Sequence, residues 1–294
     1  MDLTAWATEI GAAGPVTIAG LGTRGGAIAG VRTVSAPASI EWFEPAEMTV
    51  CCGAGTPVAE LAAVLADHDQ TVAIPPTGTI GGALAVGHSG LRRLGRGALR
   101  DSLLQANYVS AAGEVVKAGG PTVKNVSGFD LCRLLVGSRG TLGFLGEVIL
   151  RTRPRPETSR WFAGSVDPFD VLTRVYRAAS ILWDGTTTWV CLEGDDHDVA
   201  QQAAYLDLPE VQGPATLPPC RWSMSPSAVS GLTGEFVAEV GVGVVHRRVP
   251  QTGRVVDPTV RALHQRLKHE FDPTGRLNPG LDLLAPDLSS YETA

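Results

Sequence analysis

Apolar positions along the chain fall in short runs that end in glycine. "GPVTIAG" (14–20) and "MTVCCGAG" (48–55) read as short buried strands. "LLQANYVSAAGEVVKAGG" (103–120) reads as two strands joined by a turn at Ala111–Glu114, and Phe144–Leu150 as a plain apolar strand. "TPVAELAAVLADH" (56–68) has helical spacing, with Thr56 as N-cap and Pro57 at the first helical position. "DPTVRALHQRLKHEF" (257–271) predicts a second helix capped by Asp257, running into a dense turn at Asp272–Gly280.

The texture changes at "RPRPE" (153–157). Beyond it, helical patterns at 170–183 and 197–208 lie between strand patterns at 186–194 and 234–248, as in a small α+β module. The expected organisation is therefore residues 1–156, a reduced cap at 157–250, and a C-terminal helix and turn at 251–294.

Composition adds glycine to this picture. The 35 glycines exceed the usual ~7% share and concentrate before Gly146. Three loops stand out, at Gly20–Gly26, Gly78–Gly90 and Gly137–Gly143. Amides in such loops can converge on an anion such as a pyrophosphate. "GLGTRG" (20–25) matches G-x-G-x-x-G after a strand, but Gly25, Gly26 and Gly30 make a poor helix, so a Rossmann fold is not expected.

Charge and cysteine content narrow the classes. The net charge is −6 and no Lys/Arg stripe runs along any segment, so nucleic acid is not an expected partner. Arg92, Arg93, Arg96 and Arg100 form one local basic cluster, read either as a solvated loop or as an anion contact. The five cysteines are odd in number and include no C-x-x-C, which suggests reduced buried thiols in a cytoplasmic protein without an iron–sulfur cluster of its own. The N-terminus lacks a signal-peptide pattern, and no run nears ~20 apolar residues, so no membrane span is expected. The six histidines form no metal-ligand spacing, and no metal site is expected.

The ordered set "PVTIAGLGT", "CGAGTPVAELAAVLADHDQTVAIPPTGTIGGALAVGHSG", "GALRDSLLQANYVSAAGEVVKAGG", "VKNVSGFDLCRLLVGSRGTLGFLGEVILR" and "DPTGRLNPG" closely resembles the PCMH-type (vanillyl-alcohol oxidase superfamily) FAD-binding domain. Within that superfamily it is most similar to the E-type flavin subunits of bacterial glycolate oxidases, with "VKNVSGFD" the most telling run. The resemblance implies an α+β, two-subdomain FAD-binding fold, a small α+β cap, and a C-terminal segment returning to the flavin. It also implies FAD-dependent oxidation of a small 2-hydroxy acid of the glycolate or lactate type. The complex would include a D-type flavin subunit and an iron–sulfur subunit, cytoplasmic or peripheral to a membrane through those partners. A stand-alone FAD oxidase or dehydrogenase and a non-catalytic FAD-binding scaffold are the alternatives.

Site residues follow by position. The resemblance implies that Ala19, Gly20, Leu21, Gly22 and Thr23, with Thr79, Ile80, Gly81 and Gly82, wrap the FAD pyrophosphate through backbone amides. Ser89, Gly90, Gly97 and Asp101 would run along the flavin and ribityl chain, and Gly140, Thr141, Gly143 and Val148 would border the adenosine half. Lys124, Gly128 and Asp130 match positions near the cofactor, and Asn278 matches one at the flavin edge. Asp130 also reads as a turn-pinning residue with Arg133 as its structural partner. The first loop has no histidine, so FAD is expected to be non-covalent. The H-x-H pair of the larger D-type subunits is missing; only His246 remains, the one candidate base, with Arg247 and Arg248 beside it as candidate carboxylate contacts.

Overall fold

The computed structural model describes residues 1–25, 27–121, 129–251 and 256–284. They form two compact units. The first holds Met1–His88, Leu99–Pro154 and residues 256–284; the second holds Ser89–Ala98 and residues 155–251.

The first unit is built on a five-stranded antiparallel sheet. Its strand order is Ile40–Glu44, Thr49–Gly53, Phe144–Arg151, Leu103–Val109, Val115–Gly119. The central strand Phe144–Arg151 is buried at every position but its last. That requires apolar partners on both faces. On one, Val50, Cys52 and Val148 meet Leu61 and Leu65 of helix Val58–Ala66 and Ile80 and Leu84 of helix Ile80–Val86. On the other, Phe144 and Val109 meet Leu3, Trp6 and Ile10 beside helix Thr4–Ile10. A parallel pair, Val16–Ala19 with Arg32–Ser35, is widened by Leu277, which bridges Val16 as the chain returns from its C-terminal end.

The second unit is a seven-stranded antiparallel sheet. Its order is Glu210–Val211, Thr158–Gly164, Thr188–Gly194, Ser180–Trp183, Val237–Glu239, Val244–Arg247, Cys220–Ser223. Helices Pro168–Arg174 and Asp196–Leu206 start on Asp167 and Asp195, whose carboxylates accept the amides of Phe169 and His197.

Several local expectations change. Helix Val58–Ala66 starts one residue late, because the Thr56 hydroxyl is engaged with the backbone of Ser39 rather than capping. The helical pattern over 170–183 stops at Arg174; Arg177 turns left-handed, and Ser180–Trp183 is a strand between two others. The strand pattern over 234–248 is a hairpin, turned by Gly241 and Gly243 at φ 79°. The glycine-rich stretch 75–90 contains helix Ile80–Val86. The Asp257-capped helix is present, as Pro258–Phe271.

The organisation also departs from three consecutive segments. Ser89–Ala98 belongs with the second unit, where Arg96 donates to both oxygens of the buried Glu193 at 2.8 and 2.9 Å and Arg92 pairs with the same carboxylate. Gly95 lies so close to Ala179 that a Cβ would sit 2.8 Å from its Cα. Two members of the basic cluster thus serve an internal ion pair rather than an external anion. The C-terminal helix and turn belong to the first unit.

Burial pushes the thiols of Cys51 and Cys52 up to about 12, and those of Cys132 and Cys191 up to about 11. All five cysteines are free, and these four behave as inert core groups. Among the described residues, no helix is long and apolar enough to cross a membrane.

Candidate cofactor site

A cavity of about 400 Å³ opens in the first unit. Its walls are residues 17–25, one side of helix Ile80–Val86 (Gly81, Gly82, Ala85 and Val86) with Thr79 before it, residues 138–140 and 143–145, and Asn278. Different glycines serve it differently. Gly22 and Gly25 have φ of 75° and 103°, and a Cβ on either would meet nothing within 4 Å. They are required by the left-handed backbone, which leaves the loop open to a ligand. Gly81 is required by packing: a Cβ there would lie 2.8 Å from both the Cβ and the carbonyl oxygen of Ala54.

The amides show which loop is free to bind. Ile80 N–H donates to Thr56 O (2.9 Å), Gly81 N–H to Ala54 O (2.6 Å), and Gly82 N–H to Thr79 Oγ1 (3.1 Å). The first two amides dock the helix beside the strand end and the third is the helix's own N-cap bond, so all three are spent within the protein and the expectation that they wrap a pyrophosphate is corrected. Among the described residues the amides of Leu21 and Gly22 have no acceptor, which leaves the first loop as the amide donor.

Asn278, at φ 45°, clamps two walls together. Its Oδ1 accepts from Thr17 Oγ1 (2.8 Å) and Ile18 N–H (3.2 Å), while its Nδ2 donates to Arg139 O (2.6 Å). Behind it, the buried Asp272 accepts from Lys268 Nζ (2.6 Å) and from the amides of Leu277 (2.8 Å) and Arg276 (3.0 Å). Lys268 also donates to Thr141 O (2.8 Å), tying helix Pro258–Phe271 to the glycine turn. Burial pushes the Asp272 carboxyl up, but hydrogen bonds from Lys268, Leu277 and Arg276 outweigh it and hold it below its ordinary value. A carboxylate depressed in the folded state stabilises the fold above its unfolded pKa of about 3.9, and loses that contribution as pH falls through the folded value. Asp272→Asn is therefore expected to cost about 2 kcal/mol at neutral pH. The gap in melting temperature from the parent should narrow below about pH 4; a gap constant from pH 7 to 3 would show that the charge is not what stabilises.

Electrostatics define what the cavity accepts. Two arginines, Arg24 and Arg139, line it, and no lining residue is a carboxylate. Burial pulls the Arg24 guanidinium down from its ordinary value. Ile18, Ile28, Val86, Leu135, Phe144 and Leu145 supply an apolar wall. Open amides, two cations and an apolar wall suit a ligand with a diphosphate and flat rings, which is the chemistry of FAD.

Of the residues expected at the cofactor, Ala19, Gly20, Leu21, Gly22, Thr23, Thr79, Gly81, Gly82, Gly140, Gly143 and Asn278 line this cavity. Ile80 and Val148 lie in the core instead, and Thr141 is buried, its hydroxyl turned to Ser138 O. Ser89, Gly90 and Gly97 lie in the second unit. Asp101 is exposed and paired with Arg133; Asp130 caps helix Leu131–Leu135 and pairs with Arg133 at 3.0 Å, the turn-pinning role. Lys124 and Gly128 fall outside the described residues. His246 sits in the second unit, 5% exposed, with Nε2 2.9 Å from Glu239 Oε1. That pairing and burial give it a structural role in the hairpin, in place of the catalytic one expected. Arg247 stacks on Trp222 and Phe236, and Arg248 pairs with Glu235. Sequence reasoning missed Arg24, Arg139 and the Phe144–Leu145 wall; the arginine inside "GLGTRG" was the available signal. No metal-binding group of three His, Cys, Asp or Glu side chains occurs among the described residues.

Comparison with known proteins agrees with this geometry. The FAD binding domain model matches residues 14–119, and the model for the C-terminal domain of FAD linked oxidases matches residues 224–281. Two matched models of FAD-linked proteins, over a cavity lined in this way, mark the chain as an FAD-dependent oxidoreductase. The chain is similar over most of its length to glycolate oxidase subunit GlcE of Escherichia coli (strain K12), 27% identical across 81% of this chain and 83% of that protein. Shorter matches join it to glycolate oxidase subunit GlcD of Bacillus subtilis (strain 168), 44% identical over 28% of this chain and 17% of that one. A third relative, D-lactate dehydrogenase of Archaeoglobus fulgidus, is 37% identical over 35% of this chain and 24% of that one. The solved structure of an alkyldihydroxyacetonephosphate synthase superposes with a TM-score of 0.65 at 13% identity, over 94% of this chain and 73% of its own, and shows the shared fold.

Proposed function

We propose that this chain is the FAD-carrying accessory subunit of a complex that oxidises a small 2-hydroxy acid of the glycolate or lactate type. Its partners in this reading are a D-type flavin subunit and an iron–sulfur subunit, with the assembly cytoplasmic or held at a membrane through those partners. One observation carries the accessory role: the cofactor cradle is intact while the single candidate base, His246, is buried against Glu239. Similarity along most of E. coli GlcE, against short matches to GlcD and a D-lactate dehydrogenase, supports the same reading.

When bound, FAD supplies acceptance of an electron pair, and the protein's part is to position it. The Leu21 and Gly22 amides, which line the cavity, would hold the diphosphate. Asn278 holds strand Val16–Ala19, which leads into the first loop, and the 139–140 turn at a fixed spacing. The apolar wall of Ile18, Val86, Leu135 and Phe144 would keep water from the rings.

The test compares the FAD-loaded chain alone with the chain co-expressed beside D-type and iron–sulfur subunits. Glycolate, D-lactate and L-lactate are offered as donors, and reduction of an artificial dye is followed. The chain alone is expected to show no substrate-dependent dye reduction, while the complex turns over and loses activity when this chain is omitted. Turnover by the isolated chain would overturn the accessory role.

A further inference from the structure

We infer that Arg24 is a side-chain clamp on the diphosphate of FAD, so that this chain holds its cofactor by a guanidinium as well as by backbone amides. The inference rests on the FAD reading above and goes beyond it, since a PCMH-type loop read by its glycines predicts amide contacts alone.

Three observations carry it. Arg24 lines the same cavity wall as Gly22 and Gly25, whose open backbone marks where a ligand approaches. Its guanidinium is anchored on neutral groups only: Nη1 donates to Thr77 O at 2.6 Å and Nη2 to Thr77 Oγ1 at 3.3 Å. A guanidinium has five N–H donors, so most of its capacity is unspent among the described residues. A half-buried cation with no carboxylate in its cavity is a poor structural strut, since its charge is desolvated without compensation, and a good anion receptor.

The seat is built for it. Gly78 has φ 75°, and a Cβ there would lie 2.5 Å from Arg24 Nη1 and 2.3 Å from Thr23 Oγ1. Any larger residue at 78 displaces the arginine. The geometry therefore pre-orients the guanidinium before the ligand arrives, which reduces the ordering cost of binding.

The competing explanation is that Arg24 merely ties the first loop to Thr77. Full-length chain stripped of flavin is titrated with FAD at about 50 and 500 mM salt, a range over which exposed charge attraction is screened. R24M, R24Q and R24K are compared with the parent after a circular-dichroism check of folding. The expected result is FAD binding weakened about 10- to 100-fold in R24M and R24Q, with partial recovery in R24K. The salt dependence of FAD affinity should also flatten in both neutral variants. Binding within twofold of the parent, or weakened binding with an unchanged salt dependence, overturns the clamp. If the parent itself binds no FAD, the clamp falls together with the FAD reading, a result distinct from failure of the variants alone.

Discussion

Arg276→Met should lower the unfolding free energy by about 3 kcal/mol or more and abolish retention of flavin during purification. Arg276 is 4% exposed, and its guanidinium serves four main-chain carbonyls. Nε donates to Gly14 O at 2.8 Å, Nη1 to Ala111 O at 3.1 Å, and Nη2 to Ile10 O and Ala13 O at 2.8 and 3.2 Å. Ile10 ends helix Thr4–Ile10, Ala13 and Gly14 precede the strand Val16–Ala19, and Ala111 sits in the turn between strands Leu103–Val109 and Val115–Gly119, so one side chain closes the N-terminal segment onto the sheet. Methionine fills much of the volume but satisfies none of the carbonyls, and a buried acceptor left unpaired costs about 1–3 kcal/mol. The loss also reaches the cavity, because Leu277 and Asn278 follow directly and place its wall. Urea denaturation read by circular dichroism, with flavin absorbance on the same sample, measures both effects. A midpoint unchanged from the parent would show that the four bonds do not hold the segment.

Gly81→Val should cost about 1–3 kcal/mol of stability through overpacking and leave the purified protein colourless. The clash is with backbone: the Ala54 carbonyl that a Cβ would crowd is also the acceptor for the Gly81 amide at 2.6 Å. Neither partner moves without breaking the bond that docks helix Ile80–Val86 beside the cavity. Gly22→Ala is the informative control. It meets no atom within 4 Å, so its cost is the left-handed φ alone, about 1 kcal/mol. Equal flavin loss in both variants, measured by absorbance after gel filtration, would refute the distinction between a packing glycine and a conformational one.

The cavity was legible in the chain where backbone conformation demands glycine. Gly22, Gly25 and Gly140 all adopt positive φ, and their clustering marked the walls in advance. Asn278 was legible as a motif position, but its work as a clamp needed the distant Thr17 and Arg139 to be seen beside it. Helix Ile80–Val86 was hidden because two glycines depress helix propensity; packing of Ile80, Ala83 and Leu84 on the sheet overrides that. The strand Ser180–Trp183 was hidden for the opposite reason: four apolar-leaning residues carry no period, and pairing on both sides decided their state. Arg24 was visible as a letter but not as a cation, since burial and the lack of carboxylates around it exist only in three dimensions.

The excursion of Ser89–Ala98 bears on how this protein can be recombined with its relatives. The second unit is not a cassette with one entrance and one exit. Exchanging only residues 155–251 for the equivalent from another oxidase would leave Arg92 and Arg96 behind and bring in a sheet shaped for a different insertion. Transplanting those residues elsewhere would leave Glu193 as a buried carboxylate without its two guanidinium partners. Both pieces have to be inherited together, so successful shuffling of the cap requires two grafts, the ten-residue peptide at 89–98 being one of them.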